Sequence, residues 1–318
     1  MAEQFDLEKQ LAMMAIPTPP EGFRSGFVSL IGRPNVGKST LMNHLVGQKI
    51  AITSPIAQTT RNRLRGILTT DDAQYIFVDT PGIHKPQHRL GEVLVQNARA
   101  AIQAVDVVLL VCDGGFAAGR GDEFIADLVR KARTPVIVGL NKIDLLAPDQ
   151  ADAIRTSYRE LAESLEAPLL EFSAITGEGC DDLLEQLRDR LEPGPYYFPP
   201  TLVTDQPERF IMGELIREQI LHHTREEVPH SVAVSIDLVE EDVAITRVMA
   251  TIYIERPSQK GILIGRQGSM LKLIGSEARQ QMQKLIAGKV YLELFVKVQP
   301  KWRQSRLKLE ELGYQSEE

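Results

Sequence analysis

Short apolar runs alternate with stretches of helical periodicity over the first part of the chain. Five runs are apolar almost throughout and predict buried strands: 27–31, 75–78, 105–112, 136–140 and 169–172. Fully apolar strands that alternate with helices are typical of a parallel sheet covered on both faces. We therefore expect an α/β domain here, with helices on both faces of a mostly parallel sheet.

The pattern changes beyond residue 201. It predicts a helix over 209–224 and two alternating strands near 231–240 and 247–255. A short helix, a turn at 265–268, a long helix to about residue 286 and a strand over 290–298 follow. The order α-β-β-α-α-β predicts a smaller α+β domain.

A segment with four prolines, EPGPYYFPPT at 192–201, separates the two patterns and marks a domain boundary. The predicted division has five parts: an N-terminal extension over 1–24, a first domain over 25–192, a linker over 193–201, a second domain over 202–304, and a C-terminal helix with an acidic tail over 305–318. The single tryptophan, Trp302, is expected to anchor this last part, with base stacking as the alternative.

Composition excludes several classes of protein. The chain has 318 residues, of which 43% are hydrophobic and 25% charged, as in ordinary globular domains. Two cysteines, Cys112 and Cys180, are too few for a disulfide framework or a structural zinc site. No apolar run approaches the roughly 20 residues of a membrane span. The low cysteine content favours a reducing, intracellular compartment.

The charge is unevenly distributed. The whole chain carries a formal −7, yet the stretch from Arg256 to Lys308 holds 12 Lys or Arg against only Glu277 and Glu293. A basic block on an acidic chain is typical of a protein that binds a polyanion, although a solvated helical face would look similar.

The sequence GRPNVGKS follows the first apolar strand and precedes a helix. This is the phosphate-binding pattern GxxxxGK[ST] in its required context. Lys38 is predicted to reach the β- and γ-phosphates, and the Ser39 hydroxyl to ligate Mg²⁺. The predicted phosphate-site residues are Gly32, Arg33, Pro34, Asn35, Val36, Gly37, Lys38, Ser39 and Thr40.

A second element, Asp79-Thr80-Pro81-Gly82, follows the strand at 75–78, and its four residues together with Ile83 are expected to belong to the GTP-binding site. A carboxylate at a strand terminus suits Mg²⁺, so Asp79 is the expected second metal residue. The Gly82 N–H is expected to bind the γ-phosphate. Between these elements, a mobile Thr should close on Mg²⁺, and Thr60 is favoured over Thr59. Lys38, Thr60 and Gly82 are thus the expected catalytic residues.

A third element selects the base. Asn141-Lys142-Ile-Asp144 follows the strand at 136–140, and Asp144 can accept hydrogen bonds from N1–H and N2–H₂ of guanine. Adenine lacks this donor pair and would leave the carboxylate unpaired. Asn141 is expected to contact the other guanine edge, Lys142 to pack over the ring, and Ser173-Ala174 to offer a backbone N–H. The predicted nucleotide is GTP.

Taken together, these elements resemble the translation-factor-like GTPases. In the basic block, Gly265-Arg266-Gln267-Gly268 resembles the GxxG loop of a KH domain, which clamps single-stranded RNA. The combination resembles the Era family of bacterial GTPases over nearly the whole chain. The resemblance implies RNA-binding residues Ile264, Gly265, Arg266, Gln267, Gly268 and Lys272.

The family resemblance also implies partners: small-subunit ribosomal RNA and the 30S subunit during its assembly, with peripheral association at the inner face of the plasma membrane. We expect no DNA partner and a monomer. Ile83 stands where Ras-like proteins carry the Gln that orients water, and the Era family shares this feature. Related GTPases without that Gln hold K⁺ beside an Asn in the position of Asn35. The alternative hypothesis is an RNA-binding module that keeps GTP or GDP as a structural ligand without turnover.

Overall fold

A computed structural model describes residues 16–56, 59, 64–83, 102–242, 244–286 and 288–312. The chain folds into two compact units. Unit 1 contains residues 1–50 and 63–205, and unit 2 contains residues 51–62 and 206–318. The division therefore falls between Asp205 and Gln206, and a short segment from the N-terminal half belongs to unit 2.

The described residues of unit 1 form a six-stranded sheet. Its strands are β1 (Arg24–Ile31), β2 (Leu64–Thr69), β3 (Ala73–Asp79), β4 (Val107–Asp113), β5 (Val136–Asn141) and β6 (Leu169–Glu171). They lie in the order β2-β3-β1-β4-β5-β6, and only β2 runs antiparallel to its neighbour. The predicted α/β fold with a mostly parallel sheet is confirmed.

Four helices of unit 1 are described: α1 (Lys38–Val46), α2 (Arg120–Arg130), α3 (Ala151–Ser164) and α4 (Cys180–Arg188). Strands β3 and β4 are buried almost throughout, as their continuous apolar sequences require. A core of aliphatic side chains fills the space between β4, β5 and helices α2 and α3. This core fixes the carboxyl ends of the central strands, where the predicted site residues lie.

Strand β2 was not predicted from the sequence. Its residues, LRGILT, include one exposed residue, Arg65, among buried and half-buried ones, and β2 lies at the edge of the sheet, antiparallel to β3. Gly66 allows helix α1 to pack closely, since a Cβ there would lie 2.8 Å from the Met42 side chain. A strand with a central glycine and an exposed arginine gives too weak an apolar signal for prediction.

The proline-rich segment predicted as a linker, 193–201, packs against unit 1. The Gln74 side chain accepts hydrogen bonds from the N–H groups of Tyr197 and Phe198 and donates to the Phe198 carbonyl. Two aromatic rings of this segment pack on the start of unit 1: Tyr196 on Phe23, just before β1, and Tyr197 on Phe27 within β1. The structure thus places this segment with the first domain, and the break follows four residues later.

Unit 2 contains helices α5 (Glu208–His223) and α6 (Val228–Ser231), strands β7 (Ala233–Glu241) and β8 (Ile245–Ile254), helices α7 (Pro257–Ile264) and α8 (Ser269–Met282), strand β9 (Lys289–Val298) and helix α9 (Arg306–Glu311). Its described strands form a three-stranded sheet, β7-β8-β9, in which β9 is parallel to β8. The predicted element order is confirmed, with the one-turn helix α6 added.

Two predicted boundaries in unit 2 are corrected. The first strand begins at Ala233 rather than near Ser231, because the Ser231 hydroxyl bonds back to the Glu227 and Val228 carbonyls of a helical turn. The long helix ends at Met282, and residues 283–286 form a turn.

The C-terminal segment is anchored by a buried tryptophan. The Trp302 ring is almost fully buried, and its Nε1 donates to the Ser231 carbonyl at 3.0 Å. Anchoring, and not base stacking, is therefore its role. Within the described residues, no helix combines the length and apolar character needed to cross a membrane.

Candidate functional site

The loop between β1 and α1 carries the phosphate-binding sequence. Helix α1 begins at Lys38, directly after Gly37, whose φ of 100° suits glycine. At Gly32, a Cβ would lie 2.3 Å from the Val111 carbonyl oxygen of β4. Both positions therefore require glycine. The loop ends at the N-terminus of α1, where the backbone N–H groups and the helix dipole favour phosphate binding.

Lys38 is turned back over this loop. Its side chain is only 6% exposed, and Nζ donates to the carbonyls of Gly32 (3.2 Å) and Arg33 (2.9 Å). Burial lowers the pKa of Lys38 to about 8, and the Asp79 carboxylate acts in the opposite direction. A buried ammonium held mainly by neutral carbonyls suits an anionic ligand, because phosphate oxygens would supply the missing negative charge.

Ser39 and Asp79 form the next part of the site. The Ser39 hydroxyl donates to Oδ2 of Asp79 at 2.6 Å, and Asp79 is fully buried at the end of β3. The following Thr80 is fixed by its hydroxyl, which donates to the Leu30 carbonyl of β1 at 2.9 Å. A hydroxyl and a carboxylate side by side are hard oxygen ligands of the kind that Mg²⁺ prefers.

Gly82 lies against the phosphate loop. A Cβ at Gly82 would lie 2.7 Å from the backbone N and Cα of Pro34, so no other residue fits without displacing the loop. The next residue, Ile83, donates its N–H to the Gly32 carbonyl at 3.1 Å. The second sequence element is therefore bonded directly to the first.

Asn141 links three of the predicted elements. Its Nδ2 donates to the Val36 carbonyl of the phosphate loop at 2.8 Å, and its Oδ1 accepts from the Ala174 N–H at 2.9 Å. A Cβ at Gly37 would lie 2.3 Å from the same Nδ2. The Asn141 side chain thus holds the phosphate loop and the Ser173-Ala174 turn in one arrangement.

Asp144 is exposed, and its carboxylate is oriented by a neighbour. The Ser173 hydroxyl donates to Oδ1 of Asp144 at 2.6 Å, and Ser173 itself is fully buried after β6. Lys142 has φ of 66° and donates from Nζ to the Asn35 carbonyl (2.8 Å) and to Asp113 (2.7 Å). The side chains predicted to read guanine therefore come together beside the phosphate loop.

In unit 2, the GxxG sequence joins α7 to α8. Gly265 has φ of 70°, and a Cβ there would lie 2.8 Å from the Met270 side chain. Gly268 has φ of 80° and precedes α8 directly. Arg266 and Gln267 between them are exposed, and Lys272 is exposed one turn further along α8. The loop therefore offers its polar side chains to solvent.

A groove runs beside this loop, between α8 and β9. It has a volume of about 440 Å³. Leu271, Lys272, Arg279, Leu292 and Leu294 line it, and β9 also borders it at the acidic Glu293. Gly275 keeps the groove narrow, because a Cβ there would lie 3.3 Å from Leu294. Apolar walls with a basic rim suit a nucleobase whose phosphates lie at the edge.

Comparisons with known proteins cover both units. A family model described as "50S ribosome-binding GTPase" matches residues 27–142, and one described as "KH domain" matches residues 227–303. GTPase Era of Nostoc sp. is 69% identical over 305 residues, which are 96% of this chain and 94% of that protein. The chain belongs to the Era family of GTPases.

Two solved structures agree with this membership. Era in complex with MgGDPNP and nucleotides 1506–1542 of 16S ribosomal RNA is 36% identical, with a TM-score of 0.86. Era from Aquifex aeolicus bound to GDP·AlF4⁻ is also 36% identical, with a TM-score of 0.85. Each match covers 92% of this chain and all of the other chain. The GTPase and KH domains of the Era family are therefore both present.

In this Era-family chain, the side chain of Ile83 lies inside the hydrophobic core. It is 2% exposed and packs with aliphatic residues of β1, β4 and α2. It therefore cannot orient a water molecule, in agreement with the expectation from its apolar chemistry.

The predicted switch threonines lie in the segment assigned to unit 2. Thr60 is outside the described residues, so its role as a metal ligand stays a prediction. The Thr59 hydroxyl donates to the Ile56 carbonyl at 2.6 Å. The same segment is held by two charged residues of α5 that are buried: Arg217 donates to the Thr59 carbonyl, and Glu218 accepts from the Thr53 N–H at 2.8 Å.

Sequence reasoning missed two acidic residues that support the site. Asp122 forms an ion pair with Arg33 of the phosphate loop at 2.8 Å and also accepts from the Gly119 N–H at the start of α2. Asp113 fixes Lys142. Asp113 ends β4 as Asp79 ends β3, and this shared position after an apolar strand is a signal that could have identified it.

Proposed function

We propose that this GTPase binds Mg²⁺-GTP at the loop between β1 and α1 and hydrolyses it to GDP and phosphate. It also binds small-subunit ribosomal RNA through the Gly265–Gly268 loop and assists assembly of the 30S subunit. The hydrogen bonds of Asn141 carry the nucleotide part of this proposal. They join the phosphate loop to the turn beside Asp144, so that one ligand can occupy both.

The choice of guanine rests on Asp144. The Ser173 hydroxyl occupies one oxygen of Asp144 and leaves the carboxylate able to accept from guanine N1–H and N2–H₂. The Ala174 N–H, predicted to bind guanine O6, instead donates to Oδ1 of Asn141 at 2.9 Å, so it would reach O6 only by exchanging or sharing that bond. Adenine has no donor pair for Asp144, so ATP would be rejected.

Ser39 and Asp79 are the residues that would hold Mg²⁺, with Thr60 as the third. Their adjacent hydroxyl and carboxylate oxygens fit this ion. An ion held by these residues would supply positive charge against the negative charge that develops on the phosphates. Lys38 and the Gly82 N–H would hold the γ-phosphate from two sides.

Intrinsic hydrolysis is expected to be slow. Ile83 offers no group that could position water, so the rate should resemble that of unassisted Ras and Gα enzymes, on the order of 10⁻⁴–10⁻² s⁻¹. K⁺ beside Asn35 would add positive charge where the transition state develops negative charge. Asn35 fits this role because it is exposed within the phosphate loop.

The RNA partner is proposed from the Era structure that contains nucleotides 1506–1542 of 16S ribosomal RNA. That RNA belongs to the small subunit, and the match covers both domains. The description "50S ribosome-binding GTPase" concerns residues 27–142 alone and says nothing of the KH domain. In this chain, exposed Arg266 and Lys272 beside the groove of α8 and β9 provide the charge that RNA requires.

The cytoplasm, where 30S subunits assemble, is the location that goes with this function. Peripheral association with the inner face of the plasma membrane comes from the family resemblance alone, and the described residues suggest no anchor for it. A monomer and the absence of a DNA partner likewise stay predictions.

Phosphate release under multiple-turnover conditions tests this proposal. The full-length protein should convert an excess of GTP slowly, and a 16S fragment spanning nucleotides 1506–1542 should bind it. Lys38→Ala should abolish turnover, because the neighbouring cations Arg33 and Lys142 are held in ion pairs with Asp122 and Asp113. Release of no more than one phosphate per protein would favour the alternative hypothesis, a structural nucleotide on an RNA-binding module.

A further inference from the structure

One face of the three-stranded sheet in unit 2 has no role in the function described above. Strand β9 places Val290, Leu292 and Leu294 toward helices α7 and α8, as the close approach of Leu294 to Gly275 shows. Because side chains of a strand alternate, the intervening residues lie on the opposite face. These residues are Lys289, Tyr291, Glu293, Phe295 and Lys297, and we call their side of the sheet the open face.

Two aromatic side chains are exposed on the open face. Tyr291 is 52% exposed and Phe295 is 45% exposed, although both belong to a regular strand in which aromatic residues are usually covered. They are four residues apart, about 13 Å along the strand. Tyr253 of β8 pairs in register with Lys297, so it is a diagonal neighbour of Phe295.

Basic residues flank these rings. Lys289 and Lys297 end the exposed row on β9, and Arg247 lies across from Tyr291 on β8. The Lys297 ammonium lies 5.8 Å from the centre of the Tyr253 ring. Within the described part of the chain, Lys289 and Arg247 have no ion-pair partner. On β7, however, Glu240 pairs in register with Arg247, and Asp237 accepts from the Thr251 hydroxyl beside Phe295. The charges available to a polyanion are therefore those of Lys289 and Lys297 on β9.

Charged groups of the C-terminal helix act on Tyr253, which lies at one end of the open face. Partial burial raises the pKa of Tyr253, with Asp237 acting in the same direction and Lys308 of α9 opposing it. The part of the face between Tyr291 and Phe295 lies further along β9 and keeps the exposure given above.

We propose that the open face is a second RNA-contact surface, on which Tyr291 and Phe295 stack bases while Lys289 and Lys297 of the same strand contact phosphates. Sheets with exposed aromatic residues bind single-stranded RNA in this way elsewhere, two or three bases at a time. The proposal rests on the proposed RNA-binding function. It would extend the RNA contact beyond the four or so nucleotides that a GxxG loop clamps.

The composition of the row favours RNA over a protein partner. Three of its five side chains are charged, whereas the centre of a protein interface is depleted in Lys and Glu. Glu293, between the two rings, repels phosphate but can accept from the exocyclic amines of bases. Glu293 is therefore compatible with an RNA strand that places its bases, and not its phosphates, against the middle of the open face.

Binding of the full-length protein to the 16S fragment 1506–1542, followed by fluorescence anisotropy, tests the proposal. Tyr291→Ala combined with Phe295→Ala should weaken binding by about tenfold or more, the usual loss when stacking residues are removed. Tyr291→Phe with Phe295→Tyr keeps both rings and should stay within about twofold of wild type. Phe116→Ala removes a ring that is 69% exposed in unit 1 and serves as the matched control.

Ultraviolet crosslinking gives a readout that does not depend on affinity. Trypsin cleaves after Lys289 and Lys297, so both rings leave in the single peptide Val290–Lys297. We expect a nucleotide adduct on this peptide in the wild type and its loss in the ring-free variant. The double variant Lys289→Gln/Lys297→Gln should reduce the slope of log RNA affinity against log salt concentration by the equivalent of about two released counterions.

Wild-type affinity in the ring-free variant, together with no adduct on that peptide, would overturn the proposal. The proposal would also be overturned if the ring-free variant kept its RNA affinity but lost self-association in sedimentation, because the open face would then bind a second copy of the protein. A variant with Arg266→Asp and Gln267→Asp separates the two proposals. If the wild type fails to bind RNA, the proposed function fails. If this variant alone loses affinity, only the open-face proposal fails.

Discussion

The Ser173 hydroxyl donates to Oδ1 of Asp144 at 2.6 Å and orients the carboxylate that is proposed to read guanine. Ser173 is buried at the end of one strand, and Asp144 is exposed after another. The bond therefore fixes an exposed recognition group to the core. The site presents Asp144 to the base without having to order it on binding.

Asp144→Asn should weaken GTP binding, because an amide N–H would face the N2–H₂ donor of guanine. Xanthine carries a carbonyl at that position, so the variant should bind XTP better than GTP. Ser173→Ala should lower GTP affinity by a smaller factor and leave the preference for GTP intact. Calorimetry with GTP and XTP measures both effects. Equal GTP affinity in wild type and Asp144→Asn would contradict the assignment.

Gly37→Ala should disrupt nucleotide binding, because the new Cβ would lie 2.3 Å from Nδ2 of Asn141. The matched control is Gly47→Ala. Gly47 also has a positive φ, 75°, but nothing lies within 4 Å of its Cβ position. This control should cost about 1 kcal/mol of unfolding free energy from backbone strain and leave GTP affinity unchanged. Thermal unfolding and calorimetry separate the two, and equal GTP affinities would be the contrary result.

The buried Lys38 predicts a pH dependence of GTP binding. Its pKa in the nucleotide-free protein is about 8, lowered by burial, and bound phosphates would raise it. Lys38 is therefore already charged at pH 7, whereas binding near pH 9 must take up a proton. GTP affinity should fall by up to about tenfold per pH unit above pH 8. Calorimetry in buffers of different ionisation enthalpy should show proton uptake at pH 9 and little at pH 7. Equal uptake at both would show that Lys38 is not the titrating group.

The buried Ile83 predicts an effect of the monovalent cation. Hydrolysis should be faster in K⁺ than in Na⁺ at matched ionic strength, because a cation beside Asn35 supplies charge that Ile83 cannot. Asn35→Ala should remove the difference between the salts. Phosphate release in KCl and NaCl measures it, and identical wild-type rates would rule out this role.

Much of the nucleotide site could be predicted from the sequence, because its residues follow strands whose ends are marked by apolar runs. Lys38, Asp79 and Asp144 each lie within a few residues of such an end, so local spacing places them. The internal bonds of Asn141 could not be predicted, since they join residues more than 30 positions apart. Strand β2 was missed because an edge strand with a central glycine carries little apolar signal.

The linker shows a second limit of the sequence. Proline content indicated a boundary over 193–201, but it gave no sign that the Gln74 amide would hold this segment on unit 1. Likewise, the exposure of Tyr291 and Phe295 on β9 could not be predicted before the two faces of the strand were known. Which face a residue occupies depends on the packing of α8, which the sequence alone does not give.

We propose that this GTPase binds ribosomal RNA through its GxxG loop and hydrolyses GTP in a separate unit. The most direct test replaces Arg266 and Gln267 with Asp and measures affinity for the 16S fragment 1506–1542 and intrinsic phosphate release. Both glycines and hence the turn are kept, so folding should be normal by circular dichroism. We predict that RNA affinity falls by orders of magnitude at moderate salt, because two negative charges face the RNA backbone. Intrinsic hydrolysis should be unchanged. Wild-type RNA affinity in this folded variant would contradict the account.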